Sequence, residues 1–282
     1  METYRRTVYG AALQTAQVLG LPVVIHPNTT LNEKLQINDK ATLGPYERPT
    51  MRYISIGIGG HRGNTGADGI PLVETLQHSA KDASSYRMLP YVMRPLSSDL
   101  TADKMERYAL RKLETHNGIQ YAVYYLRRID LTNVTIALKQ KVVSNGKETI
   151  SEFVPTIDVL NPIPPVTTAG TNVVDGTYIY ATAQVNIDFD SFDAQEILNS
   201  AKILYGDEKY AFISEFGFVT GVDRMMASPS DSNGGTFSMK EVVAAQIFCH
   251  VSALQPIYNQ KNGFEAMYEV GISEPLMVLT GP

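Results

Sequence analysis

The sequence predicts an α+β fold of mostly antiparallel strands with a few separate helices and long extended arms. Three observations lead there. Short runs of alternating apolar and polar residues recur along the 282-residue chain, which is the period of a strand with one covered face. Stripes at helical spacing are few and lie far apart, without the regular strand–helix alternation of a parallel sheet. Asn145-Gly146 stands between two strand-like runs, and Asn-Gly favours the two positive φ angles of a type I′ hairpin turn.

Tyr4, Val8, Ala11, Ala12, Thr15 and Leu19 recur at helical spacing with Gly20 as a stop, so a helix is predicted over 4–19. Residues 20–50 hold Pro22, Pro27, Pro45 and Pro49 and no sustained period. Proline removes a backbone donor and fixes its own φ, so looping or extended chain is expected there. In "MRYISIGI" Tyr53, Ser55 and Gly57 alternate with Ile54, Ile56 and Ile58, a strand. "TADKMERYALRKLET" carries Met105, Tyr108, Ala109 and Leu113 as a stripe behind Asp99 or Thr101. Those caps predict a helix over 101–115, which His116-Asn117-Gly118 would end.

Three strands are expected next, "IQYAVYYLRRI", "VTIALKQKVV" and "ETISEFVP". Residues 155–176 hold four prolines and two glycines and read as a connection or an extended arm. "TYIYATAQVNIDFD" alternates cleanly over 177–190 and is a half-buried strand. Asp190 or Ser191 then caps a helix lined by Ile197, Leu198, Ala201 and Leu204 and closed by Gly206. "KYAFISEFGFV" is a strand. Ser238 and Glu241 stand three apart like a capping box before "VVAAQIFCHVSAL", which predicts a last helix over 239–253. The expected organisation is an N-terminal α+β region (1–154), a Pro-rich arm or linker (155–177) and a C-terminal α+β region (178–282).

The net charge is −5, without the basic face that a nucleic-acid binder uses to neutralise phosphates; no nucleic-acid partner is expected. One cysteine, Cys249, excludes an intrachain disulfide and fits a reducing compartment. The apolar stretch behind Arg5-Arg6 is broken by Gln14 and Gln17, so no cleaved leader is expected. No run of about 18 apolar residues occurs, so no membrane span is expected.

The stretch "ISIGIGGHRGNTGADGI" (54–70) invites a phosphate-loop reading. After Gly57-x-Gly59 the third position of a dinucleotide fingerprint is Arg62, and no Lys follows a suitably spaced glycine pair. Neither G-x-G-x-x-G nor the P-loop pattern is met. Glycine there serves turns or a close backbone approach, including contact with a neighbouring subunit. The histidines 26, 61, 78, 116 and 250 never reach zinc-site spacing. Cys249 reads as a core thiol. Asp188, Asp190 and Asp193 lack the glycine of a calcium loop, and Ser214-Glu215 and Asp223-Arg224 read as ion pairs or interface residues. No G-x-S-x-G is present. No catalytic residue, metal or cofactor is expected.

Roughly 110 residues (20–50, 57–98, 155–177 and 225–238) show no regular period, though 72–88 has room for a short helix; fixing each costs about 1–2 kcal/mol, so ordered arms of that extent call for partners. Three stretches, "RYISIGIGGHRGNTGADGIPL", "LPYVMRPLSSDLTADKMERYALRK" and "YAFISEFGFVTGVDR", resemble virion structural proteins of contractile-tailed bacteriophages. A strand ending in a Gly-rich turn, a proline-bearing arm and a P-Y-V-x-R segment are similar to baseplate wedge subunits; a neck or collar protein is the alternative. The resemblance implies a non-enzymatic tail subunit, made in the host cytoplasm and located in the virion. Its partners would be other virion proteins and copies of itself, with no cofactor. Candidate interface residues are Gly59, Gly60, His61, Arg62, Pro95, Pro162, Pro164 and Pro165. A cytoplasmic enzyme using the 57–69 loop and a host-attachment module are the readings from other classes.

Overall fold

The computed structural model describes residues 3–66, 68–144, 147–162, 177–231 and 233–275. Contacts divide the chain into two compact units, 1–130 with 188–264 and 131–187 with 265–282. The units are interleaved in sequence, where the sequence suggests consecutive regions around 155–177. The reason is non-local pairing: the last strand returns to the sheet of the second unit.

The first unit begins with β1 (Thr3–Arg6), α1 (Val8–Leu19), α2 (Leu31–Leu35), β2 (Thr50–Gly57) and the hairpin β3 (His61–Thr65) with β4 (Pro71–Thr75). It continues through β5 (Met88–Leu89), β6 (Val92–Pro95), α3 (Ala102–Met105), β7 (Tyr108–His116) and β8 (Ile119–Arg128). In the second unit lie β9 (Ile136–Ser144), β10 (Lys147–Glu152) and most of β11 (Thr177–Asp190). The chain then re-enters the first unit with α4 (Ser191–Tyr205), β12 (Phe212–Pro229) and β13 (Thr236–Pro256), and β14 (Gly263–Pro275) leads back to the second.

The first unit is built on an eight-stranded sheet ordered β1-β13-β12-β2-β8-β6, with β5 on β2 and β7 on β8. Its spine is the long antiparallel pair β12–β13, in register from Phe212↔Pro256 to Pro229↔Thr236 with shifts between 213 and 215, 218 and 219, and 220 and 222. Tyr53, Leu110, Val123, Val219, Val242 and Ile247 meet in its core. Thr30 and Glu33 form a capping box on α2, satisfying free amides reciprocally. Asp190 caps α4 by accepting the Asp193 amide, and Gly206, at φ 83°, ends it, as the sequence indicates.

Two predicted helices are strands. The 101–115 segment forms the short α3 and then β7, because Asn117 and Gly118, at φ 50° and 77°, turn β7 back on β8 with His116 opposite Ile119. The 239–253 segment lies in β13, where residues 241–253 are all buried. Covered on both faces, it shows no alternation, and a continuous apolar run does not distinguish strand from helix. Ser238 and Glu241 therefore cap nothing. The segments expected to be irregular also hold α2, β3, β4, β5, β6 and the ends of β12 and β13.

The sheet of the second unit is ordered β10-β9-β11-β14. β9 and β10 pair antiparallel with Ser144 opposite Lys147; the turn residues Asn145 and Gly146 lie outside the described residues. So do 163–176, with Pro164 and Pro165.

Candidate functional site

The glycines of 57–60 are explained by one carboxylate. β2 and β12 pair with Gly57 opposite Glu215, and the chain past β2 folds around the Glu215 side chain, which has no exposed surface. Its oxygens accept the amides of Gly59 (2.6 Å), Tyr86 (2.7 Å) and Arg87 (3.2 Å), and Nε2 of His78 lies 2.9 Å away. The amide of Gly60 donates to the Ser214 hydroxyl at 2.9 Å. A Cβ on Gly57 or Gly59 would stand 2.8 or 2.9 Å from the same carboxylate oxygen, and one on Gly60 would stand 2.2 Å from the Ser214 carbonyl. Only glycine permits that approach. The stretch is thus an anion cradle whose anion belongs to the chain itself.

Four further side chains close the site. His78, buried, has Nδ1 3.1 Å from Asp82 and is stacked between Tyr86 and His250, with ring centroids 4.2 and 3.7 Å apart. Nε2 of His250 donates to the Asp82 carbonyl at 3.1 Å. Burial alone would raise the Glu215 carboxyl. The His78 bond and the three amides outweigh it and hold the carboxyl below the usual range. Burial, and then the neighbouring His78 ring, bring His250 down to about 4. Both nitrogens of His78 face carboxylates, so the ring is a bridge with no nitrogen left for a substrate.

Two other buried ionic clusters lie in the first unit. Arg111 bonds Asp99 (2.5 Å), the Tyr124 hydroxyl (3.1 Å) and the Pro229 carbonyl, while its own amide donates to Glu241 at 3.2 Å. Burial pushes the Glu241 carboxyl up to about 6. Asp193, on α4, takes Arg107 at 2.8 Å, Arg127 at 3.0 Å and the Tyr108 hydroxyl at 3.1 Å. In both, each acid is matched to cations or donors already in place. Among the described residues no group of three or more His, Cys, Asp or Glu could hold a metal ion, and no helix is long and apolar enough to cross a membrane.

The described candidate interface residues separate into four places. Gly59 and Gly60 are spent on Glu215 and Ser214. His61 and Arg62 open the β3–β4 hairpin, with Arg62 exposed and paired to Glu74 at 2.8 Å. Pro95 ends β6 and Pro162 follows the 3₁₀ turn Ile157–Leu160, both exposed. Sequence reasoning passed over Asp82, weighed His78 and His250 only as zinc ligands, and gave Glu215 no joint role with them. One signal was present: a single acid inside the apolar run "FISEFGFV", since buried acids need partners.

Residues 1–281 match a family of unknown function, DUF7208. The chain belongs to that family. No curated protein and no solved structure matches it.

Proposed function

We propose that the chain is a non-enzymatic structural subunit that works by packing against its neighbours, in the tail machinery of a contractile-tailed bacteriophage virion. A baseplate wedge-like position comes first and a neck or collar position second. The observation that carries the packing role is the β3–β4 hairpin. It is a two-stranded sheet whose side chains are almost all exposed, with Ile70, Leu72 and Val73 each more than half exposed. An isolated two-stranded ribbon is marginal in water, and exposed apolar side chains grouped this way mark an interaction surface. The hairpin is rooted in the Glu215 cradle through Gly59 and Gly60, and the Leu76 amide donates to the Gly60 carbonyl at 2.8 Å.

The exposed apolar residues Val154, Ile157, Val159 and Leu160 support the further reading that the arm starting at 155 reaches a neighbour. The virion placement rests on the resemblance of 52–72, 89–112 and 210–224 to tail proteins. Against an enzyme at 57–69 stands the use of the Gly59 and Gly60 amides inside the protein, where a phosphate would need them. Mass spectrometry of phage particles purified from the source is the test. The chain is expected in the particle, in the tail fraction at fixed stoichiometry with other tail proteins. Particles without it, or a thermal shift with nucleotide that Arg62→Ala abolishes, overturn the proposal.

A further inference from the structure

The described residues of the second unit bury few apolar side chains and expose many. Among its described residues the buried hydrophobic side chains are Val185, Ile187, Ala266 and Tyr268. Ten large apolar side chains of the same unit are exposed, from Ile136 at 76% to Leu138 at 37%. A small unit draws little stability from its own core even when well packed.

Most charged residues of the sheet stand on one face. From the registers of β9 with β10 and β11, Lys139, Lys141, Val143, Glu148, Ile150, Glu152, Tyr178 and Tyr180 share one face. The ion pairs Lys141–Glu148 (2.6 Å) and Lys139–Glu269 (2.5 Å) are made there. Opposite lie Ile136, Leu138, Val142, Ile179, Ala181 and Ala183. In β14 the Lys139–Glu269 pair puts Glu265, Met267 and Glu269 on the first face, and the alternation puts the buried Ala266 and Tyr268 and the exposed Ile272 on the second. Its one polar residue on β9 between Ile136 and Val142 is Gln140.

We infer that this uncharged face of the β10-β9-β11-β14 sheet is a self-association surface, covered by the same face of a second copy of the chain. The inference deepens the packing reading above and rests on it. The occupant follows from charge. A charged partner would leave a buried ion unpaired at high cost, whereas a second copy brings an identical uncharged surface at the spacing of stacked sheets. Two charges stand at the margin of the face. Lys147 is on β10, opposite Ser144. Glu274 is on β14, three residues past Gly271, which lies against Ala181 and Thr182. Both are at the end of the sheet where Thr177 pairs with Val142, on opposite edge strands. A two-fold axis along the strands sets β10 over the partner's β14 and brings Lys147 towards Glu274 of the partner subunit. The contact is isologous and closes on itself.

Sedimentation of the full chain from about 1 to 100 μM tests this, with amide protection of β12 and β13 as the folding control. The wild type is expected to dimerise. Ile136→Asp with Ile272→Asp, both already exposed, should weaken the dimer by tenfold or more with β12 and β13 still protected. Lys147→Glu should weaken it and Glu274→Lys in the same chain should restore it. A wild type that stays monomeric overturns the self-association and leaves the subunit proposal to the particle analysis. A dimer that survives both apolar substitutions places the interface elsewhere and overturns the surface assigned here.

Discussion

Glu215 is ionised where its side chain reaches no water, and four donors replace that water. Removing the charge leaves those donors facing a poorer acceptor, so Glu215→Gln should cost about 3 kcal/mol or more, read from urea unfolding. Gly60→Ala should cost about 2–4 kcal/mol by the clash with the Ser214 carbonyl. An unfolding midpoint within 0.5 kcal/mol of wild type in either variant would contradict the cradle. His250 faces His78, Asp82 and Glu215 and stands across the ladder from Arg5. The unfolded chain takes up its proton near 6.5 and the folded chain only near 4. Between those values the unfolded state holds more protons, so stability falls as pH is lowered through the window, by about 3 kcal/mol in full. Glu241, raised from 4.5 to about 6, acts in the opposite sense over its narrower window. His250→Gln should therefore lose the first contribution alone. Its stability deficit against wild type should shrink between pH 7 and 4.5, and a deficit constant with pH would contradict the assignment. At this scale the sequence left the glycines to turns or to close contact with a neighbouring subunit; that a carboxylate of the same chain approaches them was hidden, because His78, Glu215 and His250 are far apart in the chain.

The elements legible in the sequence are those with one covered face or a local cap. β11 alternates in burial from Gln184 to Phe189, and α4 carries both its Asp190 cap and its Gly206 stop. β7 and β13 were hidden for the same physical reason. Residues 108–111 are buried in succession, Arg111 among them, and β13 is covered on both faces, so neither shows a period of two. The hairpin chemistry was nevertheless written at Asn117-Gly118, the same dipeptide as at 145–146. Gly118→Val forces a β-branched residue to φ 77° and should cost about 1–2 kcal/mol, with β7 and β8 amides losing protection before those of β12 and β13. Equal loss everywhere would show that this hairpin is not a separate step. The paired ions of β7, β8 and α4 could not be read from the chain, since each joins residues tens of positions apart, as Arg107 and Arg127 do with Asp193.

For the whole molecule, the α+β class with mainly antiparallel pairing was legible, whereas the division into units was not, because β14 returns to β11 across the whole length of α4, β12 and β13. The molecule uses its buried charges in its own structure and leaves apolar side chains exposed on the β3–β4 hairpin, on 154–160 and on the second sheet. That balance supports the proposed packing role. Hydrogen exchange, compared between the dilute chain and the assembly isolated from its source, tests this most directly. The account predicts that amides of β3, β4 and 154–160 exchange quickly in the dilute chain and slow by tenfold or more in the assembly, while β12 and β13 are protected in both. Equal exchange of β3, β4 and 154–160 in the two states would contradict it.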